Sequence, residues 1–166
     1  HVVRLTSECP LIDPSVIEET SQYCIANGVG YARTDAKCFP DGLDTEVFKF
    51  SALVRAYKEA NLTSEREHVT PYIWKNSTAW GGDKFTSLKL QNKQGVYDAS
   101  EYRITIDEPE DFEVIKAVIE ALGTEKGWKE YIDYLLAHDE IKSLNSKFGY
   151  NEGYEKSIKN DKVINK

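Results

Sequence analysis

The sequence predicts an α/β fold, in which strands and helices alternate along the chain. Residues 102–107 alternate apolar and polar side chains as a half-buried strand does, and Pro109 then fits the first position of an amphipathic helix. Residues 2–6 form another short β-rich run, after which Asp13–Pro14 provides the N-cap and first position of a helix that ends near Asn27–Gly28. Two strand–turn–helix units of this kind indicate a sheet with helices packed against it.

The turns that end these two strands carry candidate metal ligands. Glu8 and Asp107 each follow a predicted strand and precede a predicted helix. Ligands of open α/β sheets bind at the carboxyl ends of strands, and Mg²⁺ takes one or two carboxylates together with waters and phosphate oxygens. The pair therefore predicts a Mg²⁺ site. Acidic residues are common in such turns, and Glu110 and Asp111 better fit an alternative role as caps at the positive end of a helix.

The middle of the chain is predicted to contain a loop, a strand and a helix. Residues 28–43 show no regular apolar period, and a loop of this length in a compact domain is usually functional. Residues 44–50 alternate as a strand, in which Glu46 either reads a substrate or faces solvent. The helix that follows is predicted to face inward through Leu53, Val54 and Tyr57.

A further helix is predicted over residues 64–74, with Ser64 and Glu67 at capping-box spacing and Pro71 limiting or kinking it. This segment contains His68, for which two interpretations remain open. The imidazole binds a phosphate or a sugar hydroxyl, or it is a structural histidine on a helix.

The remaining chain is predicted to add a strand and a helical C-terminal part. Residues 85–91 alternate as a strand and lead to a turn at Lys93–Gly95. Beyond Gly123, apolar residues recur at helical spacing in two stripes: Trp128, Ile132, Leu135 and Leu136, then Ile141 and Leu144. Residues from Gly149 onward are polar and are expected to wrap the surface or fray. The predicted organisation is an α/β part at residues 1–123 and a helical extension packed on it at residues 124–166.

Composition restricts the classes of function. The chain of 166 residues is long enough for one domain with a sizeable core. A net charge of -7 argues against a nucleic-acid partner, whereas a bridging divalent cation lets an acidic protein bind a nucleoside triphosphate. No apolar run approaches the roughly 18 residues of a membrane span. The three cysteines lack metal-ligand spacing and favour a reducing compartment, so a cytoplasmic location is expected.

Four runs of sequence stand in the order found in a known family: VVRLTSECPLIDP from Val2, FPDGLDTEVF from Phe39, REHVTPYI from Arg66 and RITIDEPEDF from Arg103. Through these runs the chain resembles the SpsF-type cytidylyltransferases of spore-coat polysaccharide biosynthesis. These enzymes are related to the acylneuraminate and 3-deoxy-manno-octulosonate cytidylyltransferases. The similarity extends to the tail near Asn151 and so covers nearly the whole chain.

The resemblance implies a three-layer nucleotide-diphospho-sugar transferase fold, which is Rossmann-like with a mixed sheet. It implies transfer of a nucleotidyl group from CTP to an acidic sugar, giving a CMP-sugar and pyrophosphate for surface or spore-coat polysaccharide. Relatives dimerise, so a homodimer with an arm between Trp80 and Arg103 is expected. The chain contains no methionine and begins with His1 just before a strand, which predicts an N-terminally truncated part of a longer polypeptide. We therefore expect little or no activity from it alone.

The resemblance also assigns roles to individual residues. Glu8 and Asp107 are implied to be catalytic and to hold Mg²⁺, although the family usually has Asp where this chain has Glu8. The implied substrate-binding residues are Arg4, Asn27, Asp41, Asp44, Glu46, Arg66 and His68. Two alternatives remain open: a non-catalytic sugar-binding or oligomerisation module derived from the family, and a related metal-dependent glycosyltransferase.

Overall fold

A mixed β-sheet lies at the centre of the fold in the computed structural model, which describes residues 1–92, 98–150 and 152–164. The strands found there are β1 (Val2–Arg4), β2 (Tyr31–Thr34), β3 (Glu46–Phe48) and β4 (Ser87–Leu90). Their order in the sheet is β1–β3–β2–β4. Strand β3 is antiparallel to both of its neighbours, whereas β2 and β4 are parallel. The predicted α/β fold with a mixed sheet is therefore confirmed.

Helices surround this sheet. They are α1 (Pro14–Ala26), α2 (Phe50–Glu59), α3 (Thr63–Glu67), α4 (Pro71–Lys75), α5 (Pro109–Leu122), α6 (Trp128–Ala137), α7 (Asp139–Lys142) and α8 (Glu152–Lys159). Within the described part of the chain, none of them combines the length and apolar character needed to cross a bilayer. As predicted, Asp13 caps α1 by accepting a hydrogen bond from the Ser15 N–H at 2.8 Å.

The largest hydrophobic cluster joins the C-terminal helices to the rest of the chain. Val16 of α1, Val118 of α5 and Trp128 and Ile132 of α6 all belong to it. The predicted helical extension therefore packs on the α/β part, while the boundary at residue 123 stays a prediction. The turn predicted at Lys93–Gly95 lies outside the described residues.

Three strand predictions need correction because buried strands do not alternate. Strand β2 lies within the predicted loop at residues 28–43, and most of its side chains are buried. All of β3 is buried as well, so the half-exposed strand predicted at residues 44–50 is shorter and interior. The segment 102–105 is buried throughout, and an isolated bridge pairs its Arg103 with Asp41. Strand β4 pairs with β2 at the edge of the described sheet, and the predicted dimer arm between Trp80 and Arg103 stays a prediction.

Two predicted inward-facing helical residues are exposed instead. Helix α2 buries Ala52 and Ala56, while Val54 is 36 % exposed and Tyr57 is 72 % exposed.

The helix predicted over residues 64–74 is interrupted. It divides into α3 and α4 around Val69, whose φ of 68° is incompatible with a continuous helix. The cap of α3 is Glu65 rather than Glu67, since the Glu65 carboxylate accepts from the N–H groups of Asn61 and Leu62.

Candidate functional site

A cavity of about 170 Å³ opens where β1 and β2 end and β3 begins. This is the edge of the sheet at which ligands of α/β proteins bind. Most of the predicted site residues line it together: Arg4, Glu8, Asp41, Asp44, Glu46, His68 and Asp107. Residues from separate predicted strand ends therefore meet at one place.

Two predicted substrate-binding residues lie elsewhere. Asn27 is exposed at the end of α1, where its side chain donates to the Tyr23 carbonyl at 2.8 Å. The Arg66 guanidinium donates to the Tyr57 carbonyl at 2.7 Å and covers the Tyr57 ring. Both side chains hold helix ends in place, so neither enters the site proposed below.

Backbone hydrogen bonds hold the Glu8 turn against the segment that carries Asp107. The Glu8 carbonyl accepts from the Ile106 N–H at 2.8 Å and from the Thr105 hydroxyl at 3.1 Å. The Asp107 side chain is 51 % exposed and Glu8 is half-buried, so both carboxylates remain accessible from the cavity. The chain thereby places the two predicted metal ligands beside one another on a fixed backbone.

Arg103 organises the acidic side of the cavity. Its buried guanidinium donates to Asp41 and Asp107 at 2.7 Å each, and to both oxygens of Asp111 at 2.8 and 2.9 Å. Burial alone lowers the pKa of Arg103, but the hydrogen bonds to Asp111 and the charges of Asp41 and Asp107 outweigh it and raise the pKa. The guanidinium therefore stays charged and fixes the orientation of Asp107.

Asp111 combines the predicted capping role with the anchoring of Arg103. It is completely buried and accepts from the N–H groups of Asp107 and Glu108 at the start of α5. Burial raises its pKa, but these bonds, the Arg103 pair and a bond from Asn145 more than offset it, so the pKa is lowered. The charged cap thus connects helix α5 to the site.

Glu46 points into the protein, so the solvent-facing alternative was wrong. Its buried carboxylate accepts from Arg4 at 2.7 Å, from the Thr70 hydroxyl at 3.0 Å and from the Tyr31 hydroxyl. Burial and the nearby charge of Glu46 raise the pKa of Tyr31. Glu46 therefore holds Arg4 at the cavity wall while remaining hydrogen-bonded on both oxygens.

The sequence analysis did not identify Arg33 and Tyr150 as cavity residues. Arg33 donates to Asp44 at 2.7 Å, and the Tyr150 hydroxyl bonds both Arg33 and Asp44, the latter at 2.6 Å. Burial and the Asp44 charge raise the pKa of Tyr150, so its hydroxyl remains protonated and able to donate. Arg33 was missed because β2 was predicted as loop, and Tyr150 because only the folded tail brings it here.

The tail also forms the wall beside His68. The His68 Nε2 lies 2.9 Å from the Ser157 hydroxyl, and the Tyr154 ring meets the rings of His68 and Trp74 edge-on at 5.2 and 5.7 Å. The expectation that the tail wraps the surface is confirmed.

Cys9 lines the cavity beside Glu8 but is poorly suited to act as a nucleophile. Burial raises the pKa of its thiol to about 11, so the reactive thiolate is scarce at neutral pH. We expect iodoacetamide to label the partly exposed Cys38 before Cys9 in the folded protein, as read by peptide mass spectrometry. Both should be labelled in urea. Rapid labelling of native Cys9 would contradict this interpretation.

The donor set fits Mg²⁺ better than a transition metal. Among the described residues, no group of three or more His, Cys, Asp and Glu side chains surrounds a single metal position. Mg²⁺ needs no such cage, because waters and phosphate oxygens complete its octahedron around one or two carboxylates. In the part of the chain that the structure describes, no cation forms an ion pair with Glu8, and Arg103 engages only Oδ2 of Asp107. Carboxylate oxygens thus remain available.

Comparison with known proteins gives a consistent result. A family model described as cytidylyltransferase matches residues 1–143. The chain is 30% identical over 148 residues to an uncharacterized protein of Methanocaldococcus jannaschii, covering 87% of this chain and 57% of that protein. It is 31% identical over 123 residues to the spore coat polysaccharide biosynthesis protein SpsF of Bacillus subtilis, covering 74% and 48%.

A solved structure is similar as well. It is that of a cytidylyltransferase from Leptospira borgpetersenii, with a TM-score of 0.74 and 31% identity, covering 84% of this chain and 57% of that one. The chain therefore spans about half the length of the proteins it matches.

Proposed function

Because this chain belongs to the cytidylyltransferase family, we propose that its cavity is the metal and sugar side of a nucleotidyl-transfer site. In the proposed reaction a sugar hydroxyl attacks the α-phosphorus of CTP. An oxygen–phosphorus bond forms, the hydroxyl proton passes to solvent, and the bond from the α-phosphorus to the bridging oxygen breaks. Pyrophosphate then leaves, with the CMP-sugar as the other product. The observation that supports this proposal is that Glu8 and Asp107 line the same cavity, on two turns joined by the hydrogen bond from the Ile106 N–H to the Glu8 carbonyl.

Glu8 and Asp107 are the residues that would hold Mg²⁺. When bound, this ion neutralises phosphate charge and orients the reacting groups, which is most of what phosphoryl-type transfer requires. The chain's own contribution is positioning. Arg103 fixes Asp107 through Oδ2, and the bonds from Thr105 and Ile106 to the Glu8 carbonyl fix the other turn. Glu8 is one methylene longer than the Asp that the family usually has.

The sugar side is formed by ion pairs that retain spare hydrogen-bonding capacity. Arg4 uses only Nη1 in its pair with Glu46 among the described residues, so its other N–H groups can meet the carboxylate of an acidic sugar. Asp41, Asp44 and Glu46 line the same cavity, and carboxylate oxygens are acceptors for sugar hydroxyls. We therefore propose an acidic sugar as the acceptor.

The test is calorimetric titration of the chain with CTP, with and without Mg²⁺. We expect heat that depends on Mg²⁺. The affinity should fall at least about tenfold in Glu8→Gln and in Asp107→Asn, because each variant replaces a charged carboxylate with a neutral amide. Glu120→Gln, an exposed change on α5, serves as the matched control. Equal heats in the parent chain and its three variants would refute the assignment of Glu8 and Asp107 as Mg²⁺ ligands.

A non-catalytic module remains the second candidate. It is favoured by Glu8, which stands where the family usually has Asp. Glu8→Asp distinguishes the two candidates in the same titration. In an enzyme site, CTP binding should depend on Mg²⁺ and should be as tight or tighter in Glu8→Asp. In a non-catalytic module, neither the parent nor Glu8→Asp should show CTP binding that depends on Mg²⁺.

The proposed setting of the reaction follows the Bacillus relative, whose name refers to spore-coat polysaccharide biosynthesis. We propose that the CMP-sugar product serves synthesis of a surface or spore-coat polysaccharide. We also propose that the protein acts in the cytoplasm as a homodimer. Size measurement by light scattering tests the dimer independently of the chemistry.

A further inference from the structure

The C-terminal segment, residues 148–150 and 152–164, lines the cavity with Tyr150 and Tyr154 and is attached near both of its ends. At one end the Gly149 carbonyl accepts from Arg103 at 3.4 Å. At the other end Asp161 accepts from the Ser64 N–H and hydroxyl at 3.0 and 2.6 Å, which caps α3. Attachment at both ends holds the intervening tyrosines against the site.

Tyr154 carries the first sign of a ligand. It lines the cavity, is only 8 % exposed, and its buried hydroxyl has no hydrogen-bond partner among the described residues. Its ring is held by edge contacts with His68 and Trp74, so the hydroxyl cannot simply rotate into solvent. A buried hydroxyl without a partner destabilises a fold, so its presence in a cavity calls for an explanation, and a bound molecule that satisfies the hydroxyl provides one.

Tyr150 supplies a second, independent contact surface. Its hydroxyl lies between Arg33 and Asp44, while the residue as a whole is 36 % exposed. The same group therefore both donates and accepts at the cavity wall. Hydrogen-bonding groups next to aromatic faces are suited to a ring that carries hydroxyls on its edge and C–H groups on its faces.

We propose that Tyr150 and Tyr154 form the wall that selects the sugar, and that the Tyr154 hydroxyl bonds a hydroxyl of the bound ring. This inference rests on the proposed function, because it assigns the wall to the same site. Residues 1–143 are the part that the cytidylyltransferase family model matches, so both tyrosines lie beyond it.

The experiment compares Tyr154→Phe and Tyr150→Phe with the parent chain in two measurements. One is the thermal unfolding midpoint without ligand. The other is affinity for the tightest binder among N-acetylneuraminate, 3-deoxy-manno-octulosonate and glucuronate, measured by chemical-shift titration. Tyr134→Phe, on α6 and outside the cavity, is the matched control.

We expect Tyr154→Phe to unfold at the same or a higher temperature than the parent and to bind the sugar about three- to tenfold more weakly, the worth of one hydrogen bond. A purely structural hydroxyl would instead lower the midpoint, which would overturn the inference. Unchanged sugar affinity in both variants would overturn it while leaving the proposed function intact. If the parent binds none of the sugars, the acidic-sugar proposal fails and this inference fails with it.

Discussion

Arg103→Met is expected to destabilise the fold by about 3–5 kcal/mol, measured by urea unfolding at neutral pH. The guanidinium is buried and bonds Asp41, Asp107 and the completely buried Asp111. Methionine fills a similar volume but leaves these carboxylates without their cation. A buried charge without a partner lowers the free energy of unfolding far more than the loss of a surface ion pair does. Arg103→Lys should cost less, since it keeps the charge but loses the planar fork.

Arg55→Met is the matched control for this experiment. Arg55 forms an exposed i,i+4 pair with Glu59, and such pairs contribute at most about 1 kcal/mol. A loss for Arg103→Met no larger than this control would contradict the view that Arg103 organises the site.

The pH dependence of Arg103→Met gives a second readout. The pKa of Asp111 is lower in the folded protein than in the unfolded chain, so the unfolded chain takes up this proton first as pH falls. The carboxylate therefore stabilises the fold above its unfolded pKa of about 3.9, and this contribution is lost as pH falls through the folded value. Without the guanidinium the folded pKa rises toward the unfolded one. The variant should accordingly lose less stability on acidification than the parent.

Gly42→Ala is the other change with a large expected effect. Gly42 has a φ of 108°, and an added Cβ would lie 2.6 Å from the carbonyl carbon and oxygen of Ile104 and 2.8 Å from the Thr105 nitrogen. These are backbone atoms in the segment that leads to Asp107, so they cannot move aside without displacing it. We expect a loss of more than about 2 kcal/mol in unfolding free energy, together with weaker Mg²⁺-dependent CTP binding.

Gly28→Ala separates the two causes of that loss. Gly28 also has a positive φ, 63°, but an added Cβ meets nothing within 4 Å. The control should therefore show only the backbone penalty of about 1–2 kcal/mol and should leave binding unchanged. Equal effects of the two substitutions would show that close approach of Gly42 to the Asp107 segment does not matter.

The sequence predicted the parts of the fold that depend on local chemistry. Asp13–Pro14 and Pro109 start helices where the capping and first-turn preferences place them, and β4 lies within the strand predicted at residues 85–91. Strand β2 was missed because burial on both faces removes the alternation on which strand prediction relies. The prediction of which face of α2 points inward was also wrong, since the helix buries two small alanines rather than large apolar residues.

The candidate site was predictable only where residues follow strand ends. Glu8 and Asp107 could be identified in this way, and both line one cavity. Arg33 and Tyr150 could not, because a pair separated by 117 positions leaves no spacing signal in a single sequence.

The central claim, that Glu8 and Asp107 hold a divalent cation at the cavity, is tested most directly by titrating the chain with Mn²⁺ and CTP and recording amide correlation spectra. Mn²⁺ shares the preference of Mg²⁺ for oxygen ligands and broadens signals close to it. We predict selective broadening of the amides of Cys9, Ile106 and Glu108, and its disappearance in Asp107→Asn. Broadening centred on other acidic surfaces, or unchanged in that variant, would contradict the claim.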